Sequence, residues 1–259
     1  MGARVVIAGA GIAGIEAALG LRELAPGGTE ITVVAPAREL LHQALDDAHL
    51  SMGGVVRHPL TTVCEQVPCD LVQAAVQSVD PDGRTVTLGD GATLGYDALL
   101  VAIGARRVMS LDHAVLFGSS LDAPAVDELL GLVSAGRAER VAVVVPTAAE
   151  WTLPAYDVAL RVAAAGGRSV VVTPEHRPAS VFGSAAEAVQ EALDEAGVQV
   201  IHGRATDIEP GYVVLDDDQQ VPADATVAIP WIRGPRTPGL PHDTEGFLPI
   251  DPWCKVDGV

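Results

Sequence analysis

The chain has 259 residues, of which 34 are acidic and 16 basic, giving a formal net charge of −18. A field of that sign repels phosphate backbones and anionic lipid, so nucleic acid and acidic membrane surfaces are excluded as expected partners. No segment has the continuous apolar length that crosses a bilayer, and three cysteines are too few for a secreted disulfide scaffold, so a soluble, cytoplasmic chain with room for two domains is expected.

Arg4 to Ala8 reads as an apolar, β-branched strand that runs into Gly9-Ala10-Gly11-Ile12-Ala13-Gly14 and then into a helical stretch from Ile15 to Ala25. Strand, G-x-G-x-x-G turn and helix in this order make a dinucleotide the expected ligand. Gly9 permits the tight turn, Gly11 lets the backbone approach a pyrophosphate, and Gly14 lets the helix pack closely on the strand. The N–H groups at the start of the helix then hold an anion without any basic side chain. A glycine-rich turn that merely packs is the competing reading. Glu16 and the glycines interrupt what a signal peptide would need, and Val6 stands where myristoylation requires Ser or Thr.

Glu30 to Val34 is the expected second strand. From Pro36 to Pro59 the pattern is irregular, with a helical piece expected near Leu40 to Leu50. On such a helix His42, Asp46 and His49 would share a face near Asp47, a spacing that suits metal ligands. A polar helix face is the favoured alternative, and no metal is assigned. Asp70 to Gln73 gives a short third strand. Val76 to Val79, Arg84 to Leu88 and Thr93 to Leu94 alternate around Pro81-Asp82-Gly83 and Gly89-Asp90-Gly91, as in a small antiparallel meander. The run Asp97 to Ala102 then has the length of a central parallel strand, ending at Ile103-Gly104.

A second α/β unit begins near Asp112. Asp122 is expected to cap a helix reaching about Ala135. A strand at Arg140 to Val145, a helix at Pro154 to Ala165, a strand at Ser169 to Thr173 and a helix at Ser184 to Ala196 follow. Val198 to Ile201 is strand-like, Ile208 to Leu215 hairpin-like, and Ala225 to Ile229 again a strand. Pro230 to Pro241, rich in proline and glycine, reads as a crossover back to the first domain. Where a second dinucleotide turn belongs, the sequence is Pro146-Thr147-Ala148-Ala149-Glu150-Trp151-Thr152-Leu153-Pro154, and no glycine occurs between Val141 and Ala165. Side chains there block the backbone approach and Pro146 removes a donor, so NAD(P)H is not expected in this unit. Glu175 could accept a ribose hydroxyl, but a solvated loop carboxylate is the favoured reading.

Val5 to Ala17, the meander with Val76, Tyr96 to Ala105, and Leu153 to Leu160 together resemble the pyridine nucleotide-disulfide oxidoreductase superfamily of two-dinucleotide-domain flavoproteins. The likeness is strongest to the branch of sulfide:quinone reductase, flavocytochrome c sulfide dehydrogenase and type II NADH dehydrogenase. Leu153 to Leu160 is similar to the proline-containing turn that replaces the NAD fingerprint in sulfide-dehydrogenase-like members, and Ile229 to Ile250 to their return. The resemblance implies an α/β fold of two Rossmann-like domains with parallel sheets and small antiparallel meanders, the second inserted in the first. Expected bounds are residues 1–111, 112–230 and 231–259.

It also implies FAD, with the pyrophosphate at Gly9, Gly11, Ile12, Ala13 and Gly14, Val76 meeting the adenine through its backbone, and Ala102 with Gly104 lining the flavin side. The acidic residue that normally closes the second strand is replaced by Ala35-Pro36, leaving ribose recognition to backbone or Arg38. Cys64 and Cys69 have the spacing of redox-active disulfide flavoenzymes, but Glu65 and Asp70 beside them favour two small buried side chains instead. Sulfur-binding cysteines have no counterpart where Leu153 stands, which disfavours sulfide as substrate. Family members continue beyond the position of Val259 into a strand and a Gly-Asp motif, so a missing strand, weaker FAD retention, and a homo-oligomer or C-terminal partner segment covering the exposed edge are expected. The implied function is an FAD-dependent oxidoreductase passing two electrons from an unidentified small-molecule donor to a quinone or other carrier, with no side chain assigned as catalytic. A non-enzymatic scaffold or subunit with an incomplete flavin site is the alternative.

Overall fold

The computed structural model describes residues 2–25, 27–43, 55–109, 111–118, 122–147, 149 and 151–256. The chain divides into two compact units: Met1–Gln43, Val55–Arg106 and Arg233–Val259 belong to unit 1, and Arg107–Ile232 to unit 2.

Unit 1 opens with β1 (Ala3–Ala8), α1 (Ile12–Leu24) and β2 (Thr29–Val34). A two-stranded ribbon, β3 (Glu39–Gln43) and β4 (Val55–Pro59), precedes α2 (Leu60–Gln66) and β5 (Asp70–Val72). The meander β6 (Val76–Asp80), β7 (Thr85–Leu88) and β8 (Thr93–Gly95) leads to β9 (Ala98–Val101). The main sheet has the order β5-β2-β1-β9 with every pair parallel. Alternation along β1 makes three layers. Val5 and Ile7 pack with Ile15 and Ala18 of α1 and Leu60 of α2, while Val6 packs with Val79, Val86 and Leu88 of the meander. The last segment seals that second face: Pro238 O accepts the Val79 N–H at 2.9 Å, and Leu240 is buried in the same cluster.

Unit 2 repeats the plan. It contains β10 (Arg106–Val108, which begins at the unit boundary), β11 (Val115–Leu116), α3 (Ala123–Ser134), β12 (Arg140–Val144), α4 (Leu153–Ala164), β13 (Arg168–Thr173), a 3-10 turn at Ser180–Phe182 and α5 (Ala185–Glu195). Then come β14 (Gln199–His202), a meander of β15 (Ala205–Glu209), β16 (Tyr212–Leu215) and β17 (Gln220–Pro222), then β18 (Ala225–Ala228) and β19 (Trp231–Arg233). The parallel sheet runs β11-β18-β12-β13-β14. Val141, Val143 and Val145 face the helices, and Ala142 and Val144 face Ile208, Val213 and Leu215 of the meander. β10 and β19 pair as a two-stranded ribbon.

Four local expectations are corrected. The helix expected near Leu40 begins instead as strand β3, held by antiparallel pairing with β4 and by an Arg57–Glu39 ion pair at 3.0 Å. Tertiary pairing overrides local helical spacing there. Helix α2 was not foreseen, although Leu60 and Cys64 form the i, i+4 pair that it buries. The run at β9 is an edge strand among the described strands rather than a central one, and its residues are exposed or half-buried. Asp122 precedes α3 without a side-chain capping bond; its carboxylate accepts the Gly118 N–H at 3.0 Å and the Arg107 guanidinium.

Candidate functional site

The parallel register places Ala8 opposite both Val34 and Val101, and Val34 opposite Val72, so the four strands of unit 1 end in one row. Backbone bonds continue the row past the strands. Gly9 N–H donates to Val34 O at 2.8 Å, Ala102 N–H to Ala8 O at 2.7 Å, and Ala35 N–H to Val72 O at 3.1 Å. From β1 the chain passes to β2 on one side and returns as β9 on the other. The row is therefore a topological switch point at the carboxyl edge of the sheet, where open α/β sheets hold ligands.

The three glycines of the turn meet different surroundings. Gly9 has φ +111°, and a Cβ there would lie 2.1 Å from Ala102 O; a Cβ on Gly14 would lie 2.0 Å from Gly9 O. Backbone stands on backbone at both places, and no side chain fits. A Cβ on Gly11 would meet nothing within 4 Å. Gly11 faces open space beside the start of α1, which has neither a side-chain cap nor an acidic residue in its first turn. Ile15 N–H makes the first helical bond, to Gly11 O at 3.0 Å. The N–H groups of Ile12, Ala13 and Gly14 therefore have no helical acceptor, and they sit at the positive end of the helix dipole. Gly11, Ile12 and Ala13 are all exposed, with Ile12 at 48 %. An uncapped, open, glycine-lined helix start fits a dinucleotide pyrophosphate.

The other expected residues are placed as follows. Ala35 is buried and presents no side chain for a ribose. Arg38 is exposed, and its carbonyl accepts the Leu60 N–H at 2.9 Å. Val76 starts the meander shortly after β5 leaves the row. Gly104 is exposed at φ +73°, with open space where a side chain would stand. His42 lies on β3 rather than on a helix, and Asp46, Asp47 and His49 lie outside the described residues. Among the described residues no group of three or more metal-competent side chains gathers. Cys64 and Cys69 are free thiols. Burial, and then a hydrogen bond with the Cys64 thiol, pushes Cys69 up to about 12, which leaves almost no thiolate near neutral pH.

Unit 2 differs at the matching place. Where α1 begins in the open, α4 begins with Thr152, Pro154 and Ala155 buried, and Ala155 N–H is already bonded to Thr152 O at 3.0 Å. The described start of α4 is thus more buried than that of α1, and Pro154 removes one of its N–H groups. At the end of β13, the Glu175 carboxylate accepts from the Tyr156 hydroxyl, the Ala179 N–H at 3.4 Å and the Ser180 hydroxyl at 3.4 Å. Burial, and then that carboxylate, holds the Tyr156 hydroxyl well above the ordinary phenol range. Glu175 is thus half-buried and hydrogen-bonded within unit 2 rather than a fully solvated loop carboxylate. Sequence reasoning missed this network, whose one visible signal is an aromatic residue on the buried face of α4.

Comparison with known proteins agrees with this architecture. The family model described as pyridine nucleotide-disulphide oxidoreductase matches residues 3–259. An NADH dehydrogenase-like protein of Mycobacterium tuberculosis (strain CDC 1551 / Oshkosh) is 32 % identical over 281 residues, covering 99 % of this chain and 70 % of the relative. The sulfide-quinone reductase of Aquifex aeolicus (strain VF5) is 26 % identical over 261 residues, covering 91 % of this chain and 60 % of the relative. Among solved structures, the sulfide:quinone oxidoreductase of Aquifex aeolicus superposes with a TM-score of 0.76 at 21 % identity, over 90 % of this chain and 59 % of that one. A NAD-dependent persulfide reductase from A. fulgidus superposes at 0.68 with 21 % identity, over 98 % of this chain and 51 % of that one. The chain spans 51–59 % of the length of these solved relatives. No helix among the described residues is long and apolar enough to cross a membrane. With residues 3–259 matched and its strand-turn-helix opening intact, the chain belongs to the pyridine nucleotide-disulphide oxidoreductase family of FAD-dependent oxidoreductases.

Proposed function

We propose that this chain carries the FAD of an oxidoreductase that passes two electrons from a small reductant other than a pyridine nucleotide to a quinone or comparable carrier. The supporting observation is the uncapped, exposed first turn of α1 standing in the row of strand ends. In this reading the N–H groups of Ile12, Ala13 and Gly14 hold the pyrophosphate, and Gly9 and Gly11 let it approach. Val76 meets the adenine through its backbone, and the backbone at Ala35 or the Arg38 guanidinium takes the ribose. Ala102 and Gly104 line the flavin side. When bound, FAD supplies the two-electron acceptor and donor, while the chain positions it and screens it from water.

Relatives named for NADH suggest that nucleotide as donor, but the buried start of α4 and the occupied Glu175 argue against it. The Aquifex relative is named for sulfide, yet Leu153 stands where a sulfur-binding cysteine would be. A cytoplasmic location belongs to the same proposal. Absorption spectroscopy of the purified chain tests it. A flavin spectrum that dithionite bleaches and a short-chain quinone restores is the expected result, with NADH causing no bleaching. Colourless protein that takes up no added FAD overturns the flavin reading in favour of a scaffold. Bleaching by NADH overturns the exclusion of the nucleotide donor.

A further inference from the structure

Unit 2 holds a pocket that the flavin reading leaves unused. It lies between α4 and α5, opens to solvent and has a volume of about 250 Å³, walled by Trp151, Leu153, Tyr156, Leu160, Val189 and Ala192. The α4 residues fall on one helical face, and the small side chains of α5 leave the gap. Its walls are held in place. Tyr156 is 2 % exposed and its hydroxyl is tied to Glu175, while Trp151 meets Phe182 edge to face with ring centroids 5.3 Å apart. The chain has only nine aromatic residues, three each of Phe, Trp and Tyr. Three of them gather here. Trp151 is 57 % exposed, which leaves a large apolar ring at the surface beside an apolar hollow.

Size and charge define what enters. An apolar cavity of ~150 Å³ is enough to take benzene in a protein interior, so this one has room for one or two rings. Among the described residues no Lys, Arg or His lines it, and its ionisable wall groups are the Asp157 carboxyl and the Tyr156 phenol, the latter tied to Glu175. A phosphate or carboxylate entering such a space would lose its hydration with no cation in exchange. The described walls offer no counter-charge to dinucleotides, acyl carriers or organic acids.

We infer that the α4–α5 pocket is a binding site for a small uncharged aromatic compound of one or two rings, separate from the dinucleotide edge of unit 1. The test uses the full FAD-loaded chain and 2-naphthol as probe, read by calorimetry. Saturable binding of one naphthol per chain in the sub-millimolar range is expected, with 2-naphthyl phosphate at least about tenfold weaker. Ala192→Phe fills the hollow and should weaken naphthol at least about tenfold. Ala188→Leu, at the exposed mouth, should weaken it too and serves where the first variant fails to fold. Both should keep the flavin spectrum of the parent. Absence of saturable binding, equal binding of the phosphate, or undiminished binding in the folded variants would overturn the assignment. Loss of flavin with naphthol binding intact would count against the flavin reading alone.

Discussion

Gly9, Gly11 and Gly14 belong to one motif but answer to different forces. Backbone oxygens 2.1 and 2.0 Å from where their Cβ atoms would stand make Gly9 and Gly14 packing requirements, whereas Gly11 borders open space. Gly14→Ala should therefore destabilise unit 1 by ~2 kcal/mol or more, measured by urea unfolding. Gly11→Ala should leave stability within ~0.5 kcal/mol while lowering FAD occupancy of the purified protein. Equal loss of stability in both variants would contradict this division. The motif was legible from spacing alone because its glycines are local in sequence. The reason each glycine is needed was not, because Gly9 is pressed by Ala102 from the far end of β9. Glu175 shows the same limit: nothing in its neighbourhood along the chain foretells the hydroxyl of Tyr156.

At the scale of elements, period-two alternation decided the layers. In β1 and β12 alternate residues serve a helical face and a meander face, and strands buried on both faces read as unbroken apolar runs. Expectations failed where partners were remote, as at β3, whose leucines and histidine look helical until β4 pairs with them. A carboxylate also ties two strand starts together. Asp224, just before β18, accepts the Glu139 N–H at 3.0 Å, the Arg140 N–H at 2.9 Å and the Arg140 guanidinium at 2.8 Å. The Arg140 side chain, and then its backbone, hold Asp224 down at about 2. The folded value lies below the unfolded one of ~3.9, so this contribution is complete above ~pH 4 and is lost as the pH falls toward 2. Asp224→Asn should lower stability at neutral pH and flatten the acid limb of the stability profile between ~4 and ~2. An unchanged slope in acid unfolding would show that the bond carries no weight.

The whole molecule is two compact units built on one plan, with the start of α1 exposed in unit 1 and the start of α4 largely buried in unit 2. A ligand that binds only the folded form of one unit stabilises that unit, by ~2.7 kcal/mol at a hundredfold excess over Kd. Added FAD should slow hydrogen exchange at β1, β2 and β9 and leave β12, β13 and β14 unaffected. Slowing confined to the unit 2 sheet would place the dinucleotide in the wrong half of the chain. A single unfolding free energy for the whole chain is not expected to describe this behaviour, because two units with different ligand dependence need not melt together.

The sequence by itself determined the α/β class, the alternation of layers, the glycine turn before α1 and the absence of a second glycine turn. These follow from local periodicity and from residues whose conformational freedom has no substitute. Only the tertiary structure decided which helix start is open and which is buried. It also put β9 at an edge, engaged Glu175 internally, and left a hollow between α4 and α5. Those outcomes depend on contacts between residues far apart along the chain, whose pairing is set by packing and not by local preference.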